Sequence, residues 1–332
     1  MFSKSLIATF IAILIGVLAI AMHFLKSPQI ISQEPSLEGA HYQVGILQLI
    51  DHPAIDATAT GAMTFLNKEL PGIQIMRESA QGDVFLAQQI IQKLAQQNID
   101  IFITIGTTAT QITMQKIKDK PIIFASVTNP LSSGIVENLD APTSNVTGVS
   151  NLSPAITLKQ IAFIKRILPN VRKIGVIYNS SESNSIVLIE KIKKVAGDYS
   201  IEIKEGIAQN TNDAVFATKA LLNDVDAIFI DNDNTALGAI RGIIDVAMKS
   251  NVPVFSSDID TVKLGVLGAV GPDQYAIGEQ VGKMVLDVLQ NHKEISLIPV
   301  TFPDQDLYVM NGTTAAKLQI PVINDDNVKI IN

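Results

Sequence analysis

Short apolar runs alternate with longer amphipathic segments along the chain from Tyr42 onwards. Four apolar runs have the length and composition of buried strands: 44–50, 72–77, 99–106 and 121–127. Three segments carry apolar residues at helical spacing: 54–69, 83–97 and 107–118. This alternation predicts an α/β fold in which helices cover both faces of a parallel sheet.

The pattern restarts in the second half of the chain. KIGVIYN (173–179) resembles QVGILQL (43–49), and VDAIFIDNDNT (225–235) resembles IDIFITIGTTA (99–109). VPVFSSD, which ends at residue 258, resembles KPIIFASV, which ends at residue 127. The matches keep the same order and similar spacing, so they predict two similar Rossmann-like lobes. Ligands of such sheets bind beyond the carboxyl ends of the strands, which points to the cleft between the lobes.

Polar and small residues follow the predicted strands in both halves, where this cleft would lie. Thr107 and Thr108 stand at a junction of strand and helix, where free backbone N–H groups and hydroxyls suit a carboxylate. Asn184 and Ser185 stand at the start of the first helix of the second half. Helix capping is the alternative explanation for these four residues.

Acidic and amide side chains follow two later strands. Asn234 and Asp258, together with Asp233, suit an ammonium group, because a carboxylate and an amine form strong charge-assisted hydrogen bonds. Capping of a helix predicted over 235–249 is again the alternative. Turns that suit an anion and turns that suit a cation together indicate a zwitterion, such as an α-amino acid.

Other turn residues complete the candidate site. His52 is a candidate for stacking on a ligand, and Tyr178 and Tyr275 are candidate aromatic walls, with simple packing as the alternative. The candidate ligand-binding residues are therefore His52, Gln81, Thr107, Thr108, Ser126, Thr128, Tyr178, Asn184, Ser185, Asn234, Asp258 and Tyr275.

Composition narrows the classes of function. The 332 residues are 47% hydrophobic, which supplies a buried core, and their number favours two domains. The chain has no Cys, which excludes disulfides, thiolate metal sites and Cys nucleophiles. A formal net charge of -7 disfavours nucleic acid as a partner. The sequence has no phosphate-binding loop, nucleophile elbow or HExxH motif, so we expect no cofactor, no metal and no catalytic residues.

The N-terminal segment has the pattern of an export signal. Residues 6–22 are almost entirely apolar, Lys4 precedes them, and the AIA tripeptide at 19–21 fits a cleavage site. An uncleaved membrane anchor over 1–28 is the alternative, because the apolar run is nearly long enough to span a bilayer. A polar, Pro-containing linker follows over 29–42. Both interpretations predict a folded part in the periplasm or on the outer face of the cytoplasmic membrane.

The ordered set of motifs resembles a family of ABC-transporter substrate-binding proteins whose characterised members bind aromatic amino acids such as tryptophan, phenylalanine and tyrosine. The motifs that carry the resemblance are VGILQLIDHPAID, ESAQGD, DIFITIGTTATQ, PIIFASVTNP, NVTGVSNLSP, IGVIYNSSESNS, DAIFIDNDNT, VPVFSSDIDTV and GAVGPDQYAIG. The resemblance covers 42–321 and implies a type I periplasmic-binding fold, in which a three-stranded hinge joins the lobes. The implied first lobe is 43–152 with 273–332, and the implied second lobe is 153–272.

The resemblance also implies a function without catalysis. The protein is expected to capture a small amino-acid-like solute, to close over it and to dock on an ABC permease in the cytoplasmic membrane. The ligand carboxylate is expected near IGTTA and ASVTNP, and the amine near DNDNT and SSD. The chain departs from the family pattern at Asn129, at 180–181 and at 274–275, and it has no lipobox Cys. The first three departures concern the identity of the ligand. Without a lipobox Cys, the protein is expected to be freely soluble outside the membrane or held by its own apolar N-terminus.

Two other functions stay open at this point. A membrane-tethered module that senses a ligand and signals to a membrane partner would have the same fold. A two-lobed enzyme would use convergent carboxylates, such as those of Asp51 and Asp83, for acid–base chemistry. A cytoplasmic repressor is disfavoured, because the chain has a hydrophobic segment where such a protein carries a helix-turn-helix.

Overall fold

The structure is a computed structural model that describes residues 42–142, 144–153 and 155–332. The predicted signal or anchor over 1–28 lies outside these ranges, as does the predicted linker up to residue 41. Within the same ranges, no helix combines the length and the apolar character needed to cross a membrane.

Five parallel strands form the sheet of the first lobe, in the order β2-β1-β3-β4-β5. The strands are β1 (Gln43–Gln48), β2 (Gln74–Ser79), β3 (Ile101–Ile105), β4 (Ile122–Val127) and β5 (Val146–Ser150). The helices that follow the first three strands are α1 (Pro53–Glu69), α2 (Val84–Ala95) and α3 (Thr107–Lys116). Every residue of β3 and β4 is buried, because helices cover both faces. The prediction of a covered parallel sheet is therefore confirmed.

Seven strands form the sheet of the second lobe, in the order β12-β11-β10-β9-β8-β6-β7. They are β6 (Lys173–Tyr178), β7 (Glu202–Ile207), β8 (Ala227–Ile230), β9 (Val254–Ser256), β10 (Gly268–Pro272), β11 (Asp306–Asn311) and β12 (Val328–Ile331). The helices on this sheet are α4 (Ile156–Ile167), α5 (Ser183–Asp198), α6 (Thr211–Leu221), α7 (Asn234–Gly238) and α8 (Ile240–Lys249). The single helix predicted over 235–249 is therefore wrong, because the chain breaks it at Ala239 into α7 and α8.

The chain passes between the lobes three times. It leaves the first sheet after β5, and it returns after β10 through α9 (Gln274–Leu289), which packs on α1. The third crossing lies between Thr301 and β11. Thr301 still belongs to the first lobe, because it forms a β-bridge with Val149 of β5. The tail predicted to lie wholly in the first lobe is thus divided. β11 and β12 belong to the second sheet, because β11 pairs antiparallel with β10 and β12 pairs with β11, and the short α10 (Gly312–Lys317) lies between them.

The two lobes repeat one another down to single hydrogen bonds. Asp100 stands just before β3, and its carboxylate accepts a hydrogen bond from the backbone N–H of Gln43 at the start of β1 (2.8 Å). Asp226 stands just before β8, and its carboxylate accepts from the backbone N–H groups of Arg172 and Lys173 at the start of β6 (2.8 and 2.9 Å). An aspartate at the equivalent position thus anchors the first strand of each lobe, which agrees with the repeat seen in the sequence.

Apolar clusters on the faces of both sheets form the core. Phe102 and Phe124 are among the largest fully buried side chains of the first lobe, and Phe229 and Phe255 are their counterparts in the second. Because these clusters occupy the faces, the polar residues that follow the strands collect at the ends of the sheets. Those ends meet at the boundary between the lobes.

Helices α1 and α9 touch through their backbones. A Cβ atom on Gly278 would overlap the carbonyl oxygen of Thr58 and would lie 2.7 Å from the backbone nitrogen of Ala62. A Cβ atom on Gly61 would overlap the carbonyl oxygen of Tyr275. Two glycines therefore allow the helix that returns from the second lobe to seat firmly on the first.

Candidate functional site

A small pocket with a free volume of about 20 Å³ lies between the lobes, at the carboxyl ends of the strands. The first lobe and the crossovers line it with His52, Ala54, Ile55, Gly106, Thr107, Ser126, Thr128, Asn151 and Gln274. The second lobe lines it with Asn184, Asn232, Asn234 and Leu237. Most of these side chains are polar and uncharged, so the pocket is equipped for hydrogen bonding to a small ligand. This is the position that the topology of two parallel sheets predicts.

The first lobe presents donors to the pocket. Helix α3 begins directly after Gly106, whose φ of 91° suits a residue without a Cβ, and no side chain in the described ranges caps the helix. The hydroxyl of Thr107 instead lies 3.5 Å from the backbone nitrogen of Thr128, from which it accepts. The first N–H groups of α3 therefore keep their capacity to bind an anion.

Gln274 reaches the same side of the pocket from the first turn of α9. Its Oε1 accepts from the hydroxyl of Ser126 (2.7 Å) and lies 3.0 Å from the hydroxyl of Thr58. Ser126 adopts a φ of 55°, which is uncommon for a residue other than glycine. Because Oε1 is occupied on the protein side, the NH₂ group of Gln274 is left to donate toward the pocket.

The second lobe backs the pocket with buried carboxylates. Glu182 accepts from the side chain of Asn234 (2.6 Å) and from the backbone and hydroxyl of Thr235 (3.2 and 3.1 Å). Asp233 accepts from the backbone nitrogen of Asn179 (2.7 Å) and the hydroxyl of Ser185 (2.6 Å), and it caps α7 through Ala236. The acids therefore lie one layer behind the asparagines that line the pocket.

Burial shifts the ionisation of these groups. It raises the pKa of Glu182 to about 7, helped by the neighbouring Asp233, whose own pKa is also raised by burial. It raises the pKa of Asp258 to about 7 and that of Asp231 to about 6. It lowers the pKa of His52 to about 4, so the imidazole in the pocket is neutral at ordinary pH.

The lobes touch each other around the pocket. The side-chain amide of Gln111 lies 3.4 Å from the hydroxyl of Ser183, on the opposite lobe. Ile50 packs so closely on α7 that a Cβ atom on Gly238 would lie 2.7 Å from Ile50 Cδ1. The lobes are therefore closed over the pocket.

Comparison with known families decides the identity of this architecture. The sequence pattern of the family described as ABC transporter substrate binding protein matches residues 43–329, which is most of the chain. The chain belongs to this family. Its members are solute-binding components of ABC transporters and are not enzymes, so the two-lobed enzyme is no longer a candidate.

Individual relatives agree with this assignment. The substrate-binding protein is 30% identical to a tyrosine-binding protein of Clostridioides difficile, over 87% of this chain and 84% of the relative. It is similar to the L-Trp complex of an ABC domain from Streptococcus pneumoniae, with 28% identity and a TM-score of 0.83 over 88% of this chain and 100% of that one.

A third relative shows how the lobes are arranged. The ligand-free, open structure of a Clostridium difficile substrate binding protein with adhesive properties has 28% identity and a TM-score of 0.64, over 87% of this chain and 99% of that one. Its sequence identity equals that of the L-Trp complex, yet its TM-score is lower. The closed lobes of the substrate-binding protein therefore match the ligand-bound relative better than the open one.

Half of the residues selected from the sequence of the substrate-binding protein come together in the pocket. They are His52, Thr107, Ser126, Thr128, Asn184 and Asn234. Each of them lies at the end of a strand, in the turn that follows it or at the start of the next helix, and the parallel topology collects these positions at one edge of each sheet.

Three of the other selected residues lie away from the pocket. Gln81 is exposed, and its amide donates to Asp51 (2.9 Å) and Ser79 (3.1 Å) on the surface of the first lobe. Tyr178 is buried in the core of the second lobe and donates its hydroxyl to Glu205 (2.7 Å), which together with burial raises its pKa to about 12. Tyr275 is 36% exposed on the outside of α9. The aromatic walls predicted from the two tyrosines are therefore absent from the lining of this pocket.

The remaining three lie next to the lining residues without joining them. Thr108 follows Thr107 in the first turn of α3. The hydroxyl of Ser185 is bonded to Asp233 behind the pocket (2.6 Å). Asp258 starts the 3-10 helix Ile259–Leu264 and accepts from the backbone nitrogen of Asp260 (2.9 Å).

The structure also adds residues that the sequence did not single out. They are Ala54, Ile55, Gly106, Asn151, Asn232, Leu237 and Gln274. Asn151 and Asn232 carried a usable signal, because Asn151 stands directly after β5 and Asn232 two residues after the end of β8. Ile55 and Leu237 carried none, since apolar residues at helical positions usually face the core.

Proposed function

We propose that this substrate-binding protein captures a hydrophobic, preferably aromatic, L-amino acid for import. The observation that carries the proposal is the division of the pocket into a side of donors and a side of acceptors. The free volume of the closed pocket is about 20 Å³, far below the 300–1,000 Å³ typical of ligand sites, so an amino acid enters only when the lobes move apart.

The donor side suits the ligand carboxylate. The uncapped start of α3 offers N–H groups and positive dipole charge, and Gln274 adds an NH₂ group. His52 is neutral, so it adds a hydrogen-bonding ring without adding charge. A carboxylate held by these groups lies against the first lobe.

The acceptor side suits the ligand amine. The Oδ1 atoms of Asn184 and Asn151 are buried and accept no hydrogen bond from the described part of the protein, although both residues line the pocket. An ammonium group carries three N–H donors, which would satisfy such oxygens. The carboxylates of Glu182 and Asp233 behind them favour a positive charge.

The apolar part of the pocket suits a hydrophobic side chain. Ile55 projects from the first lobe and Leu237 from the second, with the His52 ring beside them. The ligands named for the relatives, tyrosine and L-Trp, are of this class. A ring packed between these side chains would be shielded from water once the lobes close.

The cycle that we propose starts with open lobes that close on the ligand by rotation about the three crossovers. The moving units are residues 43–150 with 274–301, and residues 156–272 with 306–332, since the sheets divide the chain in this way. The closed form then docks on an ABC permease at the outer face of the cytoplasmic membrane. The apolar N-terminal segment serves as export signal or anchor in this scheme.

Ligand titration tests the proposal. The purified chain should bind L-tyrosine, L-tryptophan or L-phenylalanine, and a ligand concentration 100-fold above Kd should add about 2.7 kcal/mol to the free energy of unfolding. D-enantiomers, sugars and nucleosides serve as controls in the same thermal-shift screen. Stabilisation by a sugar or nucleoside alone would exclude the amino-acid assignment.

A further inference from the structure

Glu182 is buried behind the pocket and does not line it. Only 5% of the residue is exposed, and it stands between β6 and α5 in the second lobe. Its Oε2 accepts from Asn234 Nδ2 (2.6 Å) and from the backbone nitrogen of Asn234 (3.2 Å). Its Oε1 accepts from the backbone nitrogen (3.2 Å) and the hydroxyl (3.1 Å) of Thr235. Both oxygens of the carboxylate are thus used as acceptors.

These bonds fix the direction of the Asn234 amide. Because Nδ2 is bonded to Glu182, Oδ1 faces the other way, toward the first lobe. Oδ1 would lie 3.8 Å from a Cβ atom built on Gly106, across the pocket. Asn234 therefore shows its oxygen, and not its NH₂ group, to the space between the lobes.

The side-chain amide of Asn184 has the same orientation, with its NH₂ group bonded inside the second lobe. Its Nδ2 donates to the carbonyl oxygen of Asn232 (2.8 Å) and lies 3.4 Å from Glu182 Oε2. Its Oδ1 is buried and accepts no hydrogen bond from any residue that the structure describes. The carboxylate of Glu182 thus lies at the NH₂ side of both Asn184 and Asn234.

We propose that Glu182 is a positioning residue, which turns the oxygens of Asn184 and Asn234 toward the pocket and thereby selects a ligand that carries an amine. This inference rests on the proposed function and deepens it. A carboxylate suits the role because it only accepts hydrogen bonds. A glutamine would have to aim its own NH₂ group at one set of these donors, so either the asparagine amides or the adjacent Thr235 would lose their acceptor.

Two probes that differ in one group test this role. They are L-tyrosine and 3-(4-hydroxyphenyl)propanoate, which lacks the amine. The ratio of their Kd values, measured by titration calorimetry on the full chain, reports how strongly the amine is recognised. We expect the Glu182→Gln variant to lower this preference for L-tyrosine by at least about tenfold, mainly through weaker binding of L-tyrosine.

The control is Asn210→Ala. Asn210 caps α6 on the surface of the same lobe by accepting from the backbone nitrogens of Asn212 and Asp213. The control variant should melt at a lower temperature, as a structural loss does, with its preference for L-tyrosine unchanged. A change in preference in Glu182→Gln, without one in the control, therefore identifies positioning.

The outcomes separate this inference from the proposed function. An unchanged preference in a folded Glu182→Gln variant would overturn the positioning role alone. If that variant does not fold, Asn184→Leu removes one of the positioned oxygens directly, and an unchanged preference there would overturn the inference as well. A wild-type chain that binds neither L-tyrosine nor any other amino acid would overturn the proposed function, and with it the need for an amine-selecting wall.

Discussion

Replacing Gly278 with alanine should destabilise the substrate-binding protein by about 2 kcal/mol or more. The new methyl group would overlap the carbonyl oxygen of Thr58 and press on the backbone nitrogen of Ala62 at 2.7 Å. Overpacking of a core costs about 1–3 kcal/mol when side chains move aside, and here backbone must move instead. The gain in helix propensity from glycine to alanine returns only about 1 kcal/mol.

Urea or thermal unfolding without ligand measures this difference. A loss of about 2 kcal/mol should lower the melting temperature of a fold of this size by about 3 °C. The matched control is Gly197→Ala near the end of α5, where a Cβ atom would meet nothing within 4 Å. That control should be as stable as the wild type or slightly more stable.

The same substitution should also reach the ligand site. Helix α9 begins at Gln274, which lines the pocket. The side chain of Gln274 is hydrogen-bonded to Ser126 and lies near Thr58 of α1. A shift of α9 away from α1 would move this amide, so affinity for the ligand should fall together with stability. If Gly278→Ala were as stable as Gly197→Ala, the close packing of α1 on α9 would not have the role in the fold that we assign to it.

Two other predictions concern protons and closure. Without ligand, the free energy of unfolding should decrease as the pH rises from 5 to 7.5, because native Asp258 and Asp231, with pKa values raised to about 7 and about 6, keep protons that the unfolded chain has released. His52 opposes this trend in part, since its pKa is lowered to about 4. A free energy of unfolding that stays constant or increases over this pH range would show that the acids are not buried as described. Gly238→Val should weaken ligand binding about tenfold, as judged by titration, because the added atoms collide with Ile50 when the lobes are closed. Adding Ile50→Ala should restore affinity, and a failure to do so would exclude this collision as the cause.

The sequence predicted the lobes well because their signals are local. Buried strands are short apolar runs, and the turns that follow them are polar. Thr107 and Asn184 could therefore be assigned to one edge of each sheet without knowledge of distances. The anchoring aspartates Asp100 and Asp226 show why the repeat was visible, since both lobes use the same residue for the same hydrogen bonds.

The residues that could not be predicted depend on contacts between distant parts of the chain. Tyr178 ends a strand, and only packing decides whether its ring faces the cleft or the core. Gln274 enters the pocket from a helix that follows most of the second lobe in the chain. No spacing pattern in the sequence predicts its contacts with Ser126 and Thr58. Strand β11 joins the second sheet because it pairs antiparallel with β10, which an apolar run alone does not reveal.

The seating of α9 on α1 delays completion of the first lobe until most of the second lobe has been synthesised. About 200 residues separate the end of α1 from the start of α9, so at about 5–20 residues per second the ribosome needs on the order of 10–40 s to supply the covering helix. Until then the face of α1 that carries Ala59, Ala62 and Leu66 lacks its partners Ile277 and Val281. A chain truncated anywhere before α9 would expose this apolar stripe to chaperones and proteases. The order of the chain thus gives the cell a way to recognise an unfinished copy.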